Sequence, residues 1–348
     1  MNVLGVFFRR RLWFGALAAL IGFTFASPAT QAASRVRIKL ATLAPRGSAY
    51  YKSLMRLRDE WRKRSNGRVN LVIYADGKLG GESDTVGLMG LNSIQASLLT
   101  AVGLSEIEPG TEGLQSLPMG FHDLEEVDYV GRKLQPLLEK RLAAKGFVVL
   151  FWSDAGWVHF FTQKPLRTPD ELKRMKMFTW AGSPETVRLY KVAGFNVVPL
   201  ETSDIIPSLQ TGMINAVPAP PVFALATQLD TRAPYMLQIN WAPLVGACVI
   251  RKATWESLPA DLRPALLDAA RRIGKEIKTL GRRECRESIQ AMQRRGLRVT
   301  KPTPELEARW RTEAEKFYPQ IRGTIIPADI FDETLRALKE YRAQKGTP

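Results

Sequence analysis

After residue 35 the chain alternates short β-branched runs with amphipathic helical stretches, and that alternation limits it to an α/β fold of mainly parallel sheets with helices on both faces. Val36–Thr42 is the first apolar run. Ala44-Pro45-Arg46-Gly47-Ser48 then turns into a helical pattern carrying Tyr51, Leu54, Leu57 and Trp61. Ser48 fits the N-cap, because its hydroxyl can accept from a backbone N–H that has no partner within the helix, and Asn66-Gly67 fits a left-handed close. Residues 68–74 alternate Val69, Leu71 and Ile73 with Asn70 and Val72, as a half-buried strand should. A helix is expected over 83–90 and a strand over 93–99. Further strands are expected at 147–152, 176–180, 196–199 and 247–251, with helical patterns at 124–144, 184–193 and 203–211.

Two Pro-marked helix starts, Thr168-Pro169-Asp170-Glu171 and Leu258-Pro259-Ala260-Asp261, open new units. From Asp261 the apolar positions run through Leu262, Leu266, Ala269, Ile273, Ile277 and Leu280 to Ile289 and Met292. Gly274 and Gly281 interrupt this run at about 1 kcal/mol each relative to Ala, which predicts a kink or break. No repeat and no low-complexity linker divides the chain, so two lobes would have to share crossing strands.

The first 33 residues read as a secretory signal peptide. Arg9, Arg10 and Arg11 precede an apolar stretch from Leu12 to Ala26, which is too short at about 1.5 Å per residue to cross a hydrocarbon layer of about 30 Å. Small residues follow and place a cut near Ala32 or Ala33, which implies a periplasmic product; no Cys stands there to take a lipid. A cut after Ala32 leaves 316 of the 348 residues, and the formal charge of +16 falls by three, to +13.

Composition excludes several function classes. At 45% hydrophobic residues the chain is neither disordered nor fibrous. Two Cys and two His offer no paired metal ligands, and neither His122 nor His159 stands in a nucleophile motif, so neither a metal centre, a cofactor nor Ser-His hydrolysis is expected. Cys248 and Cys285 could form a disulfide after export or remain separate buried thiols. Residues 271–300 hold ten Lys or Arg against Glu276, Glu284 and Glu287. A solvated helix face accounts for this run, as would a docking face for an acidic partner or an anionic membrane. Export and the lack of aromatic-basic interleaving argue against nucleic acid.

Five motifs carry a family resemblance: Gly77-Lys78-Leu79-Gly80-Gly81-Glu82, Leu117-Pro118-Met119-Gly120-Phe121, the segment from Pro165 to Lys173, Ser183-Pro184, and Ser208-Leu209-Gln210-Thr211-Gly212. Their order and spacing resemble the periplasmic solute-binding subunits of tripartite ATP-independent (TRAP) transporters, dicarboxylate type, over nearly the whole mature chain. The resemblance implies a two-lobed periplasmic-binding-protein clamshell, its lobes joined by crossing strands and a long helix. Lobe 1 would comprise 34–155 and 244–285, and lobe 2 156–243 and 286–348. It also implies a cleft for a small-molecule ligand and membrane permease subunits as partners, and a monomer is expected.

In open α/β sheets ligands bind beyond the carboxyl ends of the strands, here residues 42–44, 99–100, 153–157 and 179–182. The resemblance also predicts where polar anchors should stand, and this chain departs from it. An Arg that typically forks a ligand carboxylate aligns with Phe178, a second Arg with Val158, and an Asn with Ala219. The expected ligand site is therefore apolar and aromatic: Trp157, Val158, Phe178, Trp180, Val217, Ala219 and Trp241, with Glu82 at its edge and Phe160 and Phe223 nearby. A hydrophobic ligand is the expectation. The alternatives are an organic acid held by Arg174 or Lys176, and a secreted enzyme using Glu82 and Asp154 as acid and base.

Overall fold

The computed structural model describes residues 35–346. In chain order its elements begin with β1 (Val36–Thr42), α1 (Ala49–Arg64), β2 (Val69–Tyr74), α2 (Glu82–Gly90), β3 (Ala96–Thr100), α3 (Ala101–Ser105), α4 (Leu124–Ala144) and β4 (Phe147–Thr162). Next come α5 (Pro169–Lys173), β5 (Lys176–Trp180), α6 (Pro184–Val192), β6 (Asn196–Leu200), α7 (Ile205–Gln210), β7 (Ala216–Ala219), α8 (Pro221–Ala226) and β8 (Tyr235–Arg251). The chain closes with α9 (Lys252–Ser257), α10 (Arg263–Arg294), β9 (Arg298–Thr300), α11 (Pro304–Glu315), α12 (Tyr318–Ile321) and α13 (Ala328–Lys345). The signal-peptide reading falls outside the described residues. No described helix is long and apolar enough to cross a membrane.

The strands lie in the order β2-β1-β3-β8-β4-β7-β5-β6, with β9 beside β8. Pairing is parallel in the outer parts, β1 with β2 and β3, β5 with β6 and β7. It is antiparallel where β8 meets β3 and β4, and where β4 meets β7. The expected strands at 147–152 and 247–251 are only the ends of two much longer ones. β4 has 16 residues and β8 has 17, and they pair with each other from Phe147↔Arg251 to Thr162↔Tyr235. One end of this ribbon joins lobe 1 through β3, and the other joins lobe 2 through β7. The link between lobes is thus an unbroken pair of strands, as the absence of a linker required.

Each lobe buries both faces of its sheet. In lobe 1, Ile38, Leu40 and Leu71 meet Leu54, Leu57 and Trp61 of α1, and Leu266, Ile273 and Ile277 of α10. Trp61 Nε1 also donates to the Leu266 carbonyl oxygen at 2.9 Å, so the ring is buried without an orphaned donor. Ser48 and Asn66-Gly67 terminate α1 as expected: the Ser48 hydroxyl accepts from the Tyr51 amide, and Asn66 and Gly67 both have positive φ. In lobe 2 one face packs Phe178, Val217 and Met236 against Met292 of α10, and the other packs Phe160 and Met177 against Trp310, Phe317 and Phe331.

α10 therefore contributes to the cores of both lobes, and it corrects two expectations. It begins at Arg263 with Pro264 in its first turn, not at Pro259. It also continues unbroken to Arg294. Gly274 and Gly281 are close-approach positions: a Cβ at Gly274 would run into the Phe151 side chain, and one at Gly281 would lie 2.7 Å from the Tyr50 ring. Contact with β4 and Tyr50 explains glycine here, so the helix-propensity cost is accepted without a break. Cys248 and Cys285 are separate buried thiols, and Cys285 Sγ donates to the Ala155 carbonyl oxygen at 2.8 Å.

Candidate functional site

A cavity of about 380 Å³ opens between the lobes. All four strand ends expected at a ligand site reach it, through Thr42 to Ala44, Leu99 and Thr100, Ser153 and Ala155, and Thr179 and Trp180. Val158, Phe178, Trp180, Ala219, Trp241 and Glu82 also line it, as does Phe223. The three positions where the family resemblance places polar anchors, Val158, Phe178 and Ala219, thus share one cavity. No Lys, Arg or His stands among its described lining residues.

Two expected residues lie elsewhere. Val217 is fully buried in the lobe 2 core, opposite Phe161 on β4. Trp157 packs against the large core that includes Trp241 and Trp310. Between Asp154 and Trp157 the β4–β8 register shifts, with Gly156 at φ +74°, and after the shift it is Val158, paired with Ala242, that reaches the cavity. Phe160 is likewise core, its ring 5.2 Å from that of Trp241 and 5.5 Å from that of Trp310.

The alternatives fare no better. Arg174 and Lys176 are exposed and do not line the cavity, and Lys176 Nζ donates to the Gly212 carbonyl oxygen at 2.9 Å. Asp154 does not line it either, because both its oxygens accept from Arg282. It is therefore neither free to act as a base nor paired with Glu82.

Glu82 is the only acidic side chain among the described lining residues. It opens α2 and is 5% exposed. One oxygen accepts from the Thr100 amide and the other from the Thr100 hydroxyl, each at 2.6 Å. Burial raises its pKa against the pull of these bonds. A second buried acid, Glu112, bonds to Ser116, which lines the cavity; burial pushes its carboxyl up to about 7. The other polar lining groups are mostly hydroxyls, among them Tyr50 and Tyr190, whose pKa values burial raises.

Sequence reasoning missed part of the wall. Phe317, Ile321 and Ile325 come from the C-terminal region, and Tyr190 from α6. At the mouth Glu201 of lobe 2 accepts from Trp180 Nε1 at 3.3 Å, and a Cβ built on Gly81 of lobe 1 would lie 2.6 Å from the same oxygen. The basic run of residues 271–300 is partly neutralised: Lys278 and Arg282 pair with Asp128 and Asp154, Arg272 with Glu60, and Arg295 with Asp230.

Two α/β lobes on a shared strand pair, enclosing a cavity at their strand ends, define a clamshell of the binding-protein class. Residues 40–323 match the bacterial extracellular solute-binding proteins, family 7, and the chain belongs to that family. It is 24% identical over 335 residues to the C4-dicarboxylate-binding periplasmic protein DctP of Rhodobacter capsulatus, covering 94% of this chain and 98% of that one. Among solved structures, a TRAP periplasmic solute-binding protein from Ralstonia eutropha with bound (S)-2-acetolactate superposes with a TM-score of 0.81 at 21% identity, covering 87% of this chain and 99% of that one. One from Sulfurospirillum deleyianum with bound succinate gives 0.79 at 20% identity, covering 86% and 98%.

Proposed function

We propose that this chain is the exported, non-catalytic solute-binding subunit of a TRAP transporter, taking an apolar or amphipathic ligand in its cleft and passing it to membrane permease subunits. The observation that carries this reading is the absence of any cation from the described lining, which Phe178 and Trp180 share with Val158, Ala219 and Trp241. A carboxylate buried there would lose its hydration without a charged partner, at a cost of several kcal/mol, and Glu82 adds no compensating charge. Apolar surface gains instead: about 200 Å² buried at about 25 cal/mol per Å² supplies about 5 kcal/mol before ordering costs. The relatives bound to succinate and acetolactate are the contrast.

On this reading the 1–33 segment is removed on export to the periplasm and the mature chain is a monomer. The lobes change over at the β4 irregularity between Asp154 and Trp157 and at the facing residues of β8, with 286–348 completing lobe 2. Native mass spectrometry of protein purified from the periplasm tests the central claim. A retained neutral or amphipathic small molecule supports it. A retained dicarboxylate or sugar acid refutes the apolar assignment while leaving the solute-binding role intact.

A further inference from the structure

A second cavity, of about 320 Å³, lies between α4, β4 and α10, and no motif above accounts for it. Its apolar wall includes Val127, Val149 and Phe151. Arg271, Lys275 and Lys278, on successive turns of α10, supply its cations. Of the three carboxylates nearby, two are paired with cations, while Glu139 has only a neutral donor among the described residues. Asp154 and Asp128 are held by Arg282 and Lys278, and Glu139 Oε1 accepts from Trp152 Nε1 at 2.9 Å. Arg271 and Lys275, four residues apart, have no carboxylate within 4.0 Å among the described residues. The cavity thus offers two uncommitted cations at one edge and hydrocarbon at the other. The main cleft, with a buried carboxylate and no cation, has the opposite character.

We propose that this second cavity is a ligand site for a small organic monoanion with an apolar body, a carboxylate on one ring or a short chain. The Arg271 guanidinium matches the two oxygens of such a carboxylate, Lys275 adds a point charge, and the apolar end is desolvated against Val149 and Phe151. The volume is near the lower limit of small-molecule pockets, which suits one ring and leaves no room for a nucleotide. The inference does not depend on what the main cleft binds.

Calorimetry on the mature chain at low salt, with benzoate as the probe, tests it. Saturable binding with a dissociation constant of about a millimolar or tighter is expected for a ligand of this size. Lys275→Glu and Arg271→Glu should each weaken it by about tenfold or more, while Lys275→Arg keeps it. Benzamide, neutral and of the same shape, should bind at least about tenfold more weakly. Ala219→Trp, which fills the main cleft, should leave benzoate binding unchanged. No saturable heat, equal affinity for benzamide, indifference to both charge reversals, or loss in Ala219→Trp would each overturn the proposal.

Discussion

Arg282 donates to both carboxylate oxygens of Asp154, at 2.8 and 2.6 Å, and ties the long helix α10 to β4 beside the register shift between Asp154 and Trp157. The same guanidinium reaches Asp128 on α4 at 3.1 and 2.6 Å. Burial opposes the charge on Arg282, yet the two aspartates hold its pKa above the usual value. One side chain thereby joins α10 to two consecutive elements, α4 and β4, more than a hundred residues before it.

Removing that side chain leaves Asp154, 2% exposed, with Lys278 at 3.7 Å as its one cation among the described residues and the Gly156 amide at 3.2 Å as a neutral donor. Arg282→Ala should therefore destabilise the protein by about 3–5 kcal/mol, as expected for a buried charge that loses its partner. Arg282→Lys should cost less, because it keeps the charge and loses the fork. Urea denaturation of the two variants checks the order. Equal stability of Arg282→Ala and the parent would show that the network contributes nothing.

At Gly281 two effects of opposite sign compete. Alanine gains about 1 kcal/mol of helix propensity, but its Cβ would press on the Tyr50 ring, and overpacking of this kind costs about 1–3 kcal/mol. The balance favours a net loss. Because Tyr50 lines the cleft, Gly281→Ala should also weaken ligand retention. Thermal unfolding together with native mass spectrometry reads both effects, and a variant more stable than the parent would show that Tyr50 yields freely.

Stability should depend on pH through Glu112. Burial raises its carboxyl from 4.5 to about 7, so the folded state holds a proton that the unfolded chain releases. The folded state therefore binds more protons between these values, and this group's contribution falls as pH rises, by of order 3 kcal/mol in total. Glu112→Gln removes the dependence. The melting temperature of the variant minus that of the parent should grow from pH 5 to pH 8. A flat difference would mean that Glu112 titrates normally.

Succinate should bind the unmodified protein no more tightly than about millimolar, since nothing in the cleft replaces the roughly 1.5–3 kcal/mol of a charge-assisted hydrogen bond. Phe178→Arg should improve succinate binding and abolish that of the co-purified apolar solute, while Phe178→Ala should weaken the apolar solute alone. Micromolar succinate binding to the parent by calorimetry would rule out the apolar cleft.

The fold was legible wherever a local pattern sufficed. The 176–180 strand and the 124–144 helix stand where periodicity placed them, and the Pro169 start is a capping box closed by Thr168 and Glu171. Reasoning from glycine propensity failed at Gly274 and Gly281, because the reasons for glycine there, Phe151 on β4 and Tyr50 on α1, lie more than a hundred residues away. At the site, strand ends were enough to find Thr42, Leu99, Ser153 and Thr179. Trp157 and Val217 were misplaced for want of side-chain phase: the shift at Gly156 resets which β4 residues face the cavity, and no local signal in the sequence announces it. Phe317, Ile321 and Ile325 were invisible because only the tertiary fold brings the C-terminal region to the cleft.

The pairing of β4 with β8 on both sides of its register shifts bears on how the protein can be taken apart. Neither lobe is a contiguous piece of chain, and each owns only half of a ribbon whose backbone bonds run through both. A protease finds no tether to cut between them, and a fragment carrying one lobe would expose the raw edge of a sheet. Folding and unfolding should therefore be shared events, with both halves lost in one transition rather than two.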